Sequence, residues 1–341
     1  MDDLRLPAEW EQQDAVLLTW PGRTSDWREM LEEIELVYIE LVRHIGARQR
    51  LIITSDDVER VAQRLRRSGA ASSNISLYAC ASDDTWARDF GPITVYNGEQ
   101  AQLHNFTFNG WGGKFPAARD NSITAELARQ QAFACPLEHH AMVLEGGSID
   151  SDGHGSVLTT SACLLNPNRN PHLNKEQIED YLARRLGIKR LLWLDYGYLA
   201  GDDTDSHIDT LARFAPDDTI IYTACNDSGD QHYRELRAME RQLRCLRSAN
   251  GRPYNLLPLP WPQARFDADG QRLPATYANF LVINQAVLVP TYADPADAAA
   301  LEVIAAAFPT REIIAIDCRT VIRQHGSLHC LTMQLHRGTL P

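Results

Sequence analysis

One arrangement of hydrophobic and polar positions recurs along the chain: an apolar run, a short polar turn and a second apolar run. The turns include Asn97-Gly98 and Asp152-Gly153, and such pairs between alternating apolar runs are strong signs of a β-hairpin. The pattern therefore predicts four hairpins, at residues 92–108, 147–165, 207–224 and 277–292.

Stretches with apolar residues every three to four positions separate the hairpins, and this spacing is typical of a helix with one buried face. One of them has Asn174 at its start, Gln177 three residues later and Gly187 after its end, which are signals for both helix termini. The spacing predicts helices at 26–45, 56–68, 174–186, 230–249 and 294–308. Short apolar strands are predicted after them, at 51–54, 190–194, 255–259 and 312–316.

The predicted unit is thus hairpin, helix and strand, recurring about every 50 to 70 residues, which gives five units in the chain. The first would start at 15–20, and a last hairpin at 326–334 would close a ring. The pattern repeats but the residues do not, so an ordinary pair of α+β domains fits equally well. No Pro-, Gly- or Ser-rich linker divides the chain, which favours a single domain over 1–341, with 253–274 as a long loop.

Charge narrows the possible partners. The chain has 33 Lys and Arg against 45 Asp and Glu, a net charge of −12. Nucleic-acid binding needs a basic face, so no nucleic-acid partner is expected. An acidic cleft instead suits a small cation. Only three of the basic residues are Lys, which leaves few candidates for a catalytic lysine.

The sequence also bears on location. The first residues have neither a basic region nor an apolar core, so no secretory signal is expected, and no run of 18 apolar residues predicts a membrane span. The seven Cys are scattered without a Cys-x-x-Cys pair. Such cysteines are typical of reduced thiols, and we expect a cytoplasmic protein.

Polar clusters precede several predicted strands, and equivalent positions in a ring of units would converge on one axis. We therefore expect Asp89, Glu145, His207, Asp209 and Cys330 to meet there. A thiolate is a nucleophile, an imidazole can transfer protons, and carboxylates match the N–H groups of a guanidinium. Nearby carboxylates should raise the pKa of both the thiol and the imidazole. His207 and Asp209 would lie on one strand face.

Each of these residues also has a structural interpretation. A lone Cys such as Cys330 is often a core thiol, and His207 alone is often a structural histidine. Trp86 is either a core residue or a platform for a cation. Asp205, with its acidic neighbours Asp202 and Asp203, is either part of a solvated loop or a partner for the distal ammonium of a ligand.

Other kinds of site use the same residue types. His325, His329 and Cys330 could belong to a zinc site, although zinc needs three or four ligands at suitable spacing. A Cys-His-Asp acyl transferase would need an oxyanion hole of donors, for which clustered carboxylates have the wrong sign. A nitrilase-type amidase needs a lysine, and none lies near the clusters. A non-catalytic cation-binding protein would keep the carboxylates without needing the thiol.

Several separated motifs resemble the agmatine deiminase / bacterial peptidylarginine deiminase family, in the right order and over essentially the whole chain. They are Leu6-Pro7-Ala8-Glu9-Trp10-Glu11, Trp20-Pro21, Trp86-Ala87-Arg88-Asp89-Phe90-Gly91-Pro92, Leu144-Glu145-Gly146-Gly147-Ser148-Ile149, Asn166-Pro167-Asn168-Arg169-Asn170-Pro171, Asp205-Ser206-His207-Ile208-Asp209 and His329-Cys330. The resemblance implies a fivefold pseudosymmetric α/β propeller, the pentein fold, with a central active site.

The resemblance also implies roles. Cys330 would attack the guanidinium carbon and form an amidino-thioether, while Asp89 and Asp209 would hold the guanidinium nitrogens. His207 would protonate the departing ammonia and then activate water, and Glu145 would hydrogen-bond His207. Trp86 and Asp205 would complete the substrate site.

The reaction most strongly implied is agmatine plus water giving N-carbamoylputrescine and ammonia, with no cofactor or metal. The partner would be a small cationic guanidine, and a homodimer is compatible with the family. Two departures leave the substrate open, with free or peptide-terminal arginine as the alternative. Ser206 stands where agmatine deiminases usually have Gly, and His325-Gly326-Ser327-Leu328-His329-Cys330 replaces the usual Gly-Gly-Gly-Asn-Ile-His-Cys ending.

Overall fold

A computed structural model describes residues 4–341. The helices are α1 (Leu31–Gly46), α2 (Val58–Ser68), α3 (Ala87–Phe90), α4 (Gly110–Gly113), α5 (Asp120–Arg129), α6 (Ser161–Leu164), α7 (Lys175–Leu186), α8 (Tyr233–Cys245) and α9 (Asp297–Ala307). The strands of the first half are β1 (Leu4–Arg5), β2 (Gln13–Thr19), β3 (Arg50–Ser55), β4 (Ile75–Ala79), β5 (Ile93–Asn97), β6 (Gln100–Thr107), β7 (Leu137–Val143), β8 (Ile149–Ser151) and β9 (Ser156–Thr160). Those of the second half are β10 (Arg190–Leu194), β11 (Ala212–Ala215), β12 (Thr219–Thr223), β13 (Asn255–Leu259), β14 (Arg265–Phe266), β15 (Arg272–Leu273), β16 (Leu281–Ile283), β17 (Ala286–Thr291), β18 (Glu312–Asp317) and β19 (Thr332–His336).

Five sheets share one strand arrangement, in which two antiparallel strands are followed by a third strand parallel to the second. They are β5-β6-β7, β8-β9-β10, β11-β12-β13, β16-β17-β18 and β19-β2-β3. The four predicted hairpins and the four short parallel strands are confirmed, as is the α/β class. None of the sheets within residues 4–341 closes on itself.

The two ends of the chain meet in one sheet. Strand β19 runs antiparallel to β2, with Met333 opposite Leu17. The residues at 15–20 do start the first unit, as predicted, but the last hairpin at 326–334 is wrong. The antiparallel partner of β19 comes from the other end of the chain rather than from a neighbouring turn.

Local capping explains where α7, one of the predicted helices, begins and ends. The Asn174 side chain accepts from the backbone N–H of Gln177 at 2.9 Å, and the Gln177 side chain accepts from the backbone N–H of Asn174 at 2.9 Å. The predicted capping box is therefore confirmed. Gly187 ends α7 in the left-handed conformation, with a φ of 68°. The predicted loop at 253–274 is wrong in part: β13 lies where the strand at 255–259 was predicted, but the small β14–β15 sheet was not expected.

Short helical turns lie immediately before the first strand of several sheets. They are α3 before β5, the 3-10 turn Gly146–Ser148 before β8 and the 3-10 turn Ile208–Thr210 before β11. The motif residues lie on or beside these turns, and their side chains are buried. Within the described part of the chain, no helix is long and apolar enough to cross a membrane.

Candidate active site

Three predicted site residues converge on Gly147. Its backbone N–H donates to Oδ1 of Asp89 at 3.0 Å, and Nδ1 of His207 lies 3.6 Å from the same oxygen. A Cβ atom at position 147 would lie 2.6 Å from Nδ1 of His207, 2.9 Å from Oδ1 of Asp89 and 3.1 Å from Oδ2 of Asp209. Only glycine leaves room for these side chains to meet, so the structure brings together residues that are up to 120 positions apart.

Cys330 completes this group. Its thiol lies 3.6 Å from Oδ2 of Asp209, and the side-chain amide of Asn279 donates to Sγ at 3.2 Å. Burial raises the pKa of the Cys330 thiol well above its ordinary value, and the charges of Asp209 and Asp89 raise it further. The predicted direction for the thiol is confirmed, and Cys330 carries its proton at neutral pH.

The two carboxylates that face the thiol differ in their partners. Asp89 accepts from Nε1 of Trp111 at 2.9 Å as well as from Gly147. Burial, followed by the charges of Asp209 and Glu145, nevertheless raises the pKa of Asp89 well above its usual range.

Asp209 has one occupied and one free oxygen. Its Oδ2 accepts from Nδ1 of His329 at 2.7 Å, whereas its Oδ1 is buried with no hydrogen-bond partner in the described chain. Burial would raise the pKa of Asp209, but the hydrogen bond and charge of His329 outweigh it and hold the pKa below the ordinary value. Asp209 therefore stays ionised and offers an unoccupied acceptor.

His207 differs from expectation in two respects. It precedes a 3-10 turn rather than lying on a strand, because the chain turns at Ile208–Thr210 before β11 begins. Its imidazole is fully buried, and neither ring nitrogen has a hydrogen-bond partner among residues 4–341. Burial lowers the pKa of His207 to about 3, because it outweighs the charge of Asp209. The expected rise in the pKa of the imidazole is wrong, and His207 is a neutral base at neutral pH.

Glu145 does not make the expected hydrogen bond to His207. Its Oε1 accepts from Nε of Arg169 at 2.9 Å, in an ion pair that is fully buried, and its Oε2 has no partner in the described residues. Burial still raises the pKa of Glu145 despite Arg169. Glu145 lies close to His207, with ligand-type atoms of the two and of Cys163 all within 4.8 Å of one another.

Asp205 is bound to protein cations. Its carboxylate accepts from Nζ of Lys114 at 2.8 Å and also from Arg169. Both Asp205 and Ser206 have a positive φ, 65° and 66°. This conformation favours glycine, which explains why agmatine deiminases usually have Gly where this chain has Ser206. Asp205 therefore acts on the site through Arg169 rather than by offering a free carboxylate.

A cavity of about 190 Å³ leads from the surface to the thiol. Its lining is mostly acidic and aromatic: Asp26, Asp84, Trp86, Asp89, Trp111, Phe115, Asp202, Asp203, Thr204, Thr210, Gln324, His325, Gly326 and Cys330. No Arg or Lys of the described chain lines it. One face of the Trp86 indole is covered by Gly326, where a Cβ would lie 2.2 Å from the ring. The cavity therefore favours a slender cation with apolar contact along its length.

Metal ligation was one alternative. Both ring nitrogens of His329 contact carboxylates, and Nδ1 of His325 lies 2.7 Å from the carbonyl oxygen of Gly201, so the zinc site that includes Cys330 is not formed. Elsewhere, Nδ1 of His104 lies 2.8 Å from Nε2 of His140. One ligand atom from each of His104, His140 and Glu138 lies within 4.8 Å of the others, a spacing at which the three could hold a metal ion.

Three residues next to the reacting groups received no role from the sequence. Asn279 lies in the fourth predicted hairpin and contacts Cys330, but nothing local marks it. Arg169 and Glu9 lie in motifs that carry the family resemblance, and their place in these motifs is the sequence signal that could have identified them. Arg169 pairs with Glu145, and Glu9 contacts His329 at 2.5 Å.

The acidic cavity reaches a buried thiol and the Asp89 carboxylate, and the neutral His207 and the Asp209 carboxylate lie next to them. This set of groups fits a cysteine hydrolase for a cationic substrate. The sequence pattern of the Porphyromonas-type peptidyl-arginine deiminases matches residues 5–335, and the chain belongs to this family. An agmatine deiminase of Pseudomonas putida is 34% identical over 98% of this chain and 95% of its own length.

Two solved structures support the same family assignment. An agmatine deiminase of C. jejuni with substrate bound is 38% identical, with a TM-score of 0.91 over 98% of this chain and 97% of the other. A Porphyromonas gingivalis protein, provisionally named an arginine deiminase, is 46% identical, with a TM-score of 0.93 over 99% and 100% of the two chains.

More distant structures show the fold alone. A dimethylarginine dimethylaminohydrolase adduct is 13% identical with a TM-score of 0.50, and a Microseira wollei amidinotransferase of saxitoxin biosynthesis is 12% identical with a TM-score of 0.53. The chain therefore shares the mixed α/β fold of these two enzymes.

Proposed function

We propose that this protein is an agmatine deiminase, which converts agmatine and water into N-carbamoylputrescine and ammonia. The observation that carries the proposal is the acidic cavity that reaches Asp89 and Cys330, with Asp209 in contact with the thiol and its Oδ1 buried without a partner in the described chain. A guanidinium is planar and always charged, and its N–H groups match carboxylates two at a time. Asp89 and Asp209 grip it, while Trp86 supplies an aromatic wall for the cation.

The first half of the reaction forms a covalent intermediate. Binding of the cation offsets the charges that raise the pKa of Cys330, so the thiol proton passes to the neutral His207. The thiolate attacks the guanidinium carbon and forms a C–S bond. His207 then protonates one nitrogen, the C–N bond breaks, and ammonia leaves an amidino-thioether on Cys330.

The second half releases the product. His207, neutral again, takes a proton from water, and the hydroxide adds to the amidino carbon. The C–S bond breaks, the thiolate recovers a proton, and the ureido product leaves. The proton that remains on His207 passes to ammonia, so guanidinium and water become a urea and ammonium, and the enzyme returns to its starting state.

The cavity lining supports agmatine over arginine. Arginine carries a carboxylate at the end opposite its guanidinium, and such a carboxylate would need a cationic partner. The lining of the cavity includes Asp202, Asp203 and Asp84 and, in the part of the chain described, no Arg or Lys. These carboxylates favour an ammonium and repel a carboxylate. The likeness to the provisionally named arginine deiminase keeps arginine as the alternative.

The proposal extends to the whole chain. Five sheets with one strand arrangement support a single catalytic domain over 1–341, built as a fivefold pseudosymmetric propeller. Seven free thiols support a reducing compartment such as the cytoplasm. A homodimer stays a prediction, and the acidic net charge supports the absence of a nucleic-acid partner.

Ammonia release from agmatine, arginine, an arginine-terminated peptide and a methylated guanidine tests the proposal. We expect kcat/KM for agmatine to exceed that for arginine by at least about 100-fold, or about 2.7 kcal/mol. Equal or greater turnover of arginine would overturn the substrate assignment. Cys330→Ala should bind agmatine without turnover, whereas a non-catalytic cation-binding protein would show no turnover even in the wild type.

A further inference from the structure

His329, the neighbour of the nucleophile, lies between two carboxylates. Its Nδ1 is 2.7 Å from Oδ2 of Asp209, and its Nε2 is 2.5 Å from Oε1 of Glu9. The imidazole is fully buried. An ionised carboxylate only accepts hydrogen bonds, so both ring nitrogens must donate and His329 carries a positive charge.

Glu9 is itself held in the ionised state by its neighbours. Its Oε2 accepts from Nε2 of Gln334 at 3.0 Å and from the Arg213 guanidinium, and its Oε1 lies 3.4 Å from Nη1 of Arg88. Burial would raise the pKa of Glu9, but the charges of Arg213, His329 and Arg88 hold it well below the ordinary value.

The buried charges around Glu9 balance. Three carboxylates face three cations in one connected network: Glu9, Asp150 and Asp209 with Arg88, Arg213 and His329. Removing one carboxylate leaves the network with a surplus positive charge. The least costly relief is loss of a proton from His329, since arginine does not deprotonate in proteins.

We propose that Glu9 is a positioning residue for the deimination reaction, acting through His329 on Asp209. By keeping both nitrogens of His329 protonated, Glu9 fixes Oδ2 of Asp209 and leaves its Oδ1 free for the guanidinium. This inference rests on the proposed function, because it assigns Asp209 to the substrate.

The charge state of His329 also affects the nucleophile. Oδ2 of Asp209 lies 3.6 Å from the Cys330 thiol, and a carboxylate bound to an imidazolium opposes a nearby thiolate less than a free one does. Two other titratable groups lie near the contacts that link Glu9, His329, Asp209 and Cys330. They are Arg88, whose Nε donates to the His329 carbonyl at 3.3 Å, and Asp89. His207 approaches the same Gly147 position as Asp209 and is neutral.

Glu9→Gln separates charge from shape. The Gln side-chain oxygen can still accept from Nε2–H of His329, while the negative charge is lost and the new NH2 group replaces the oxygen that accepts from Gln334 and Arg213. His329 then keeps only one ionised carboxylate, so the requirement that both ring nitrogens donate is removed and Asp209 no longer has a fixed cationic partner. We expect kcat/KM for agmatine to fall roughly tenfold at mildly alkaline pH and its alkaline decline to move to lower pH.

Glu11→Gln is the matched control, since it removes the same charge two residues away from a surface ion pair with Arg5. It should stay within about twofold of the wild type with an unchanged pH profile. ¹⁵N spectra of histidine-labelled protein, with His329 assigned from a His329→Gln sample, report the ring directly. We expect two protonated nitrogens in the wild type at neutral pH and one in Glu9→Gln.

A neutral His329 in the wild type would overturn the proposal, as would a Glu9→Gln pH profile that superimposes on the wild type. If Glu9→Gln does not fold, the wild-type spectrum still decides whether His329 is doubly protonated. If the wild type turns over no guanidine, the proposed function fails, while the spectra still test the coupling of Glu9 to His329.

Discussion

The side-chain amide of Asn279 supports the nucleophile from both ends. Its Nδ2 donates to Sγ of Cys330 at 3.2 Å, while its Oδ1 accepts from the backbone N–H groups of His329 and Cys330 at 3.1 and 3.3 Å. The amide thereby fixes the turn that carries the thiol and provides a donor for the thiolate.

Asn279→Ala should lower kcat/KM for agmatine roughly tenfold or more, since a hydrogen bond to a charged group contributes about 1.5–3 kcal/mol. The thiolate would lose its donor, so the pH at which Cys330 becomes alkylated by iodoacetamide should rise. Asn255→Ala, on a strand edge, is the control and should match the wild type. Lost activity with an unchanged alkylation profile would show that the amide only supports the backbone.

Substrate should help to activate its own nucleophile. Burial and the charges of Asp209 and Asp89 raise the pKa of Cys330 well above its ordinary value, so the thiolate is scarce at neutral pH. A bound cation offsets those charges and must lower the pKa. Titration of the thiolate absorbance with and without an unreactive cationic amidine measures this, with Cys330→Ser as the blank. A Cys330 pKa that does not move would contradict the coupling.

The two carboxylates that grip the guanidinium should each be indispensable. Asp89→Asn or Asp209→Asn removes a charge-assisted hydrogen bond from a buried site, and we expect at least a tenfold loss in kcat/KM, or about 1.4 kcal/mol. Asp180→Asn, on the exposed face of α7, should have no effect. Steady-state kinetics of the three variants decide the matter, and activity within about threefold of the wild type for both site variants would refute the assignment.

Gly147→Ala tests the crowding at the centre of the site. The added Cβ would lie 2.6 Å from Nδ1 of His207 and 2.9 Å from Oδ1 of Asp89, so the side chains must move apart. We expect a loss in kcat/KM of about 100-fold or more, because small misplacements of reacting groups are costly. Gly22→Ala, whose Cβ would meet only an Asp56 carboxylate at 3.8 Å, should retain full activity. A fully active Gly147→Ala enzyme would rule out this convergence.

The sequence predicted elements whose causes are local. Turn residues mark the four hairpins, and the Asn174 capping box marks α7. Helix α5 (Asp120–Arg129) was not predicted; it is short, and no side chain caps its start at Arg119. Strand β7 was missed as well, since its polar run Glu138–His140 obscures the alternation typical of a strand.

The active site shows the same distinction between features with a local cause and features that depend on distant parts of the chain. The residue types that carry chemistry were recognisable, and their convergence followed from the repeated unit. Their protonation states could not be predicted, because burial lowers the pKa of His207 more than the nearby carboxylates raise it. Partners from distant parts of the chain were also beyond local patterns: Glu9 is 320 residues from His329, and Asn279 is 51 from Cys330.

The buried His207 should make the fold sensitive to acid. Its folded-state pKa is about 3, against about 6.5 for an unfolded histidine, because burial disfavours the charged ring. Above the unfolded value both states are neutral and the residue has no pH-dependent effect. Below it the unfolded chain takes up a proton that the folded protein refuses, so stability falls between the two values as the pH falls.

At about pH 5 this difference amounts to roughly 2 kcal/mol. Denaturant unfolding of the wild type and His207→Gln at about pH 7.5 and pH 5 measures it, because a glutamine cannot take up the proton. The variant should lose about 2 kcal/mol less than the wild type over this range. His154→Gln, in the exposed turn between β8 and β9, should keep the wild-type pH dependence. If His207→Gln and the wild type lose stability equally, the imidazole takes up its proton as readily in the folded protein as in the unfolded chain, and His207 is then not the neutral base that accepts the thiol proton.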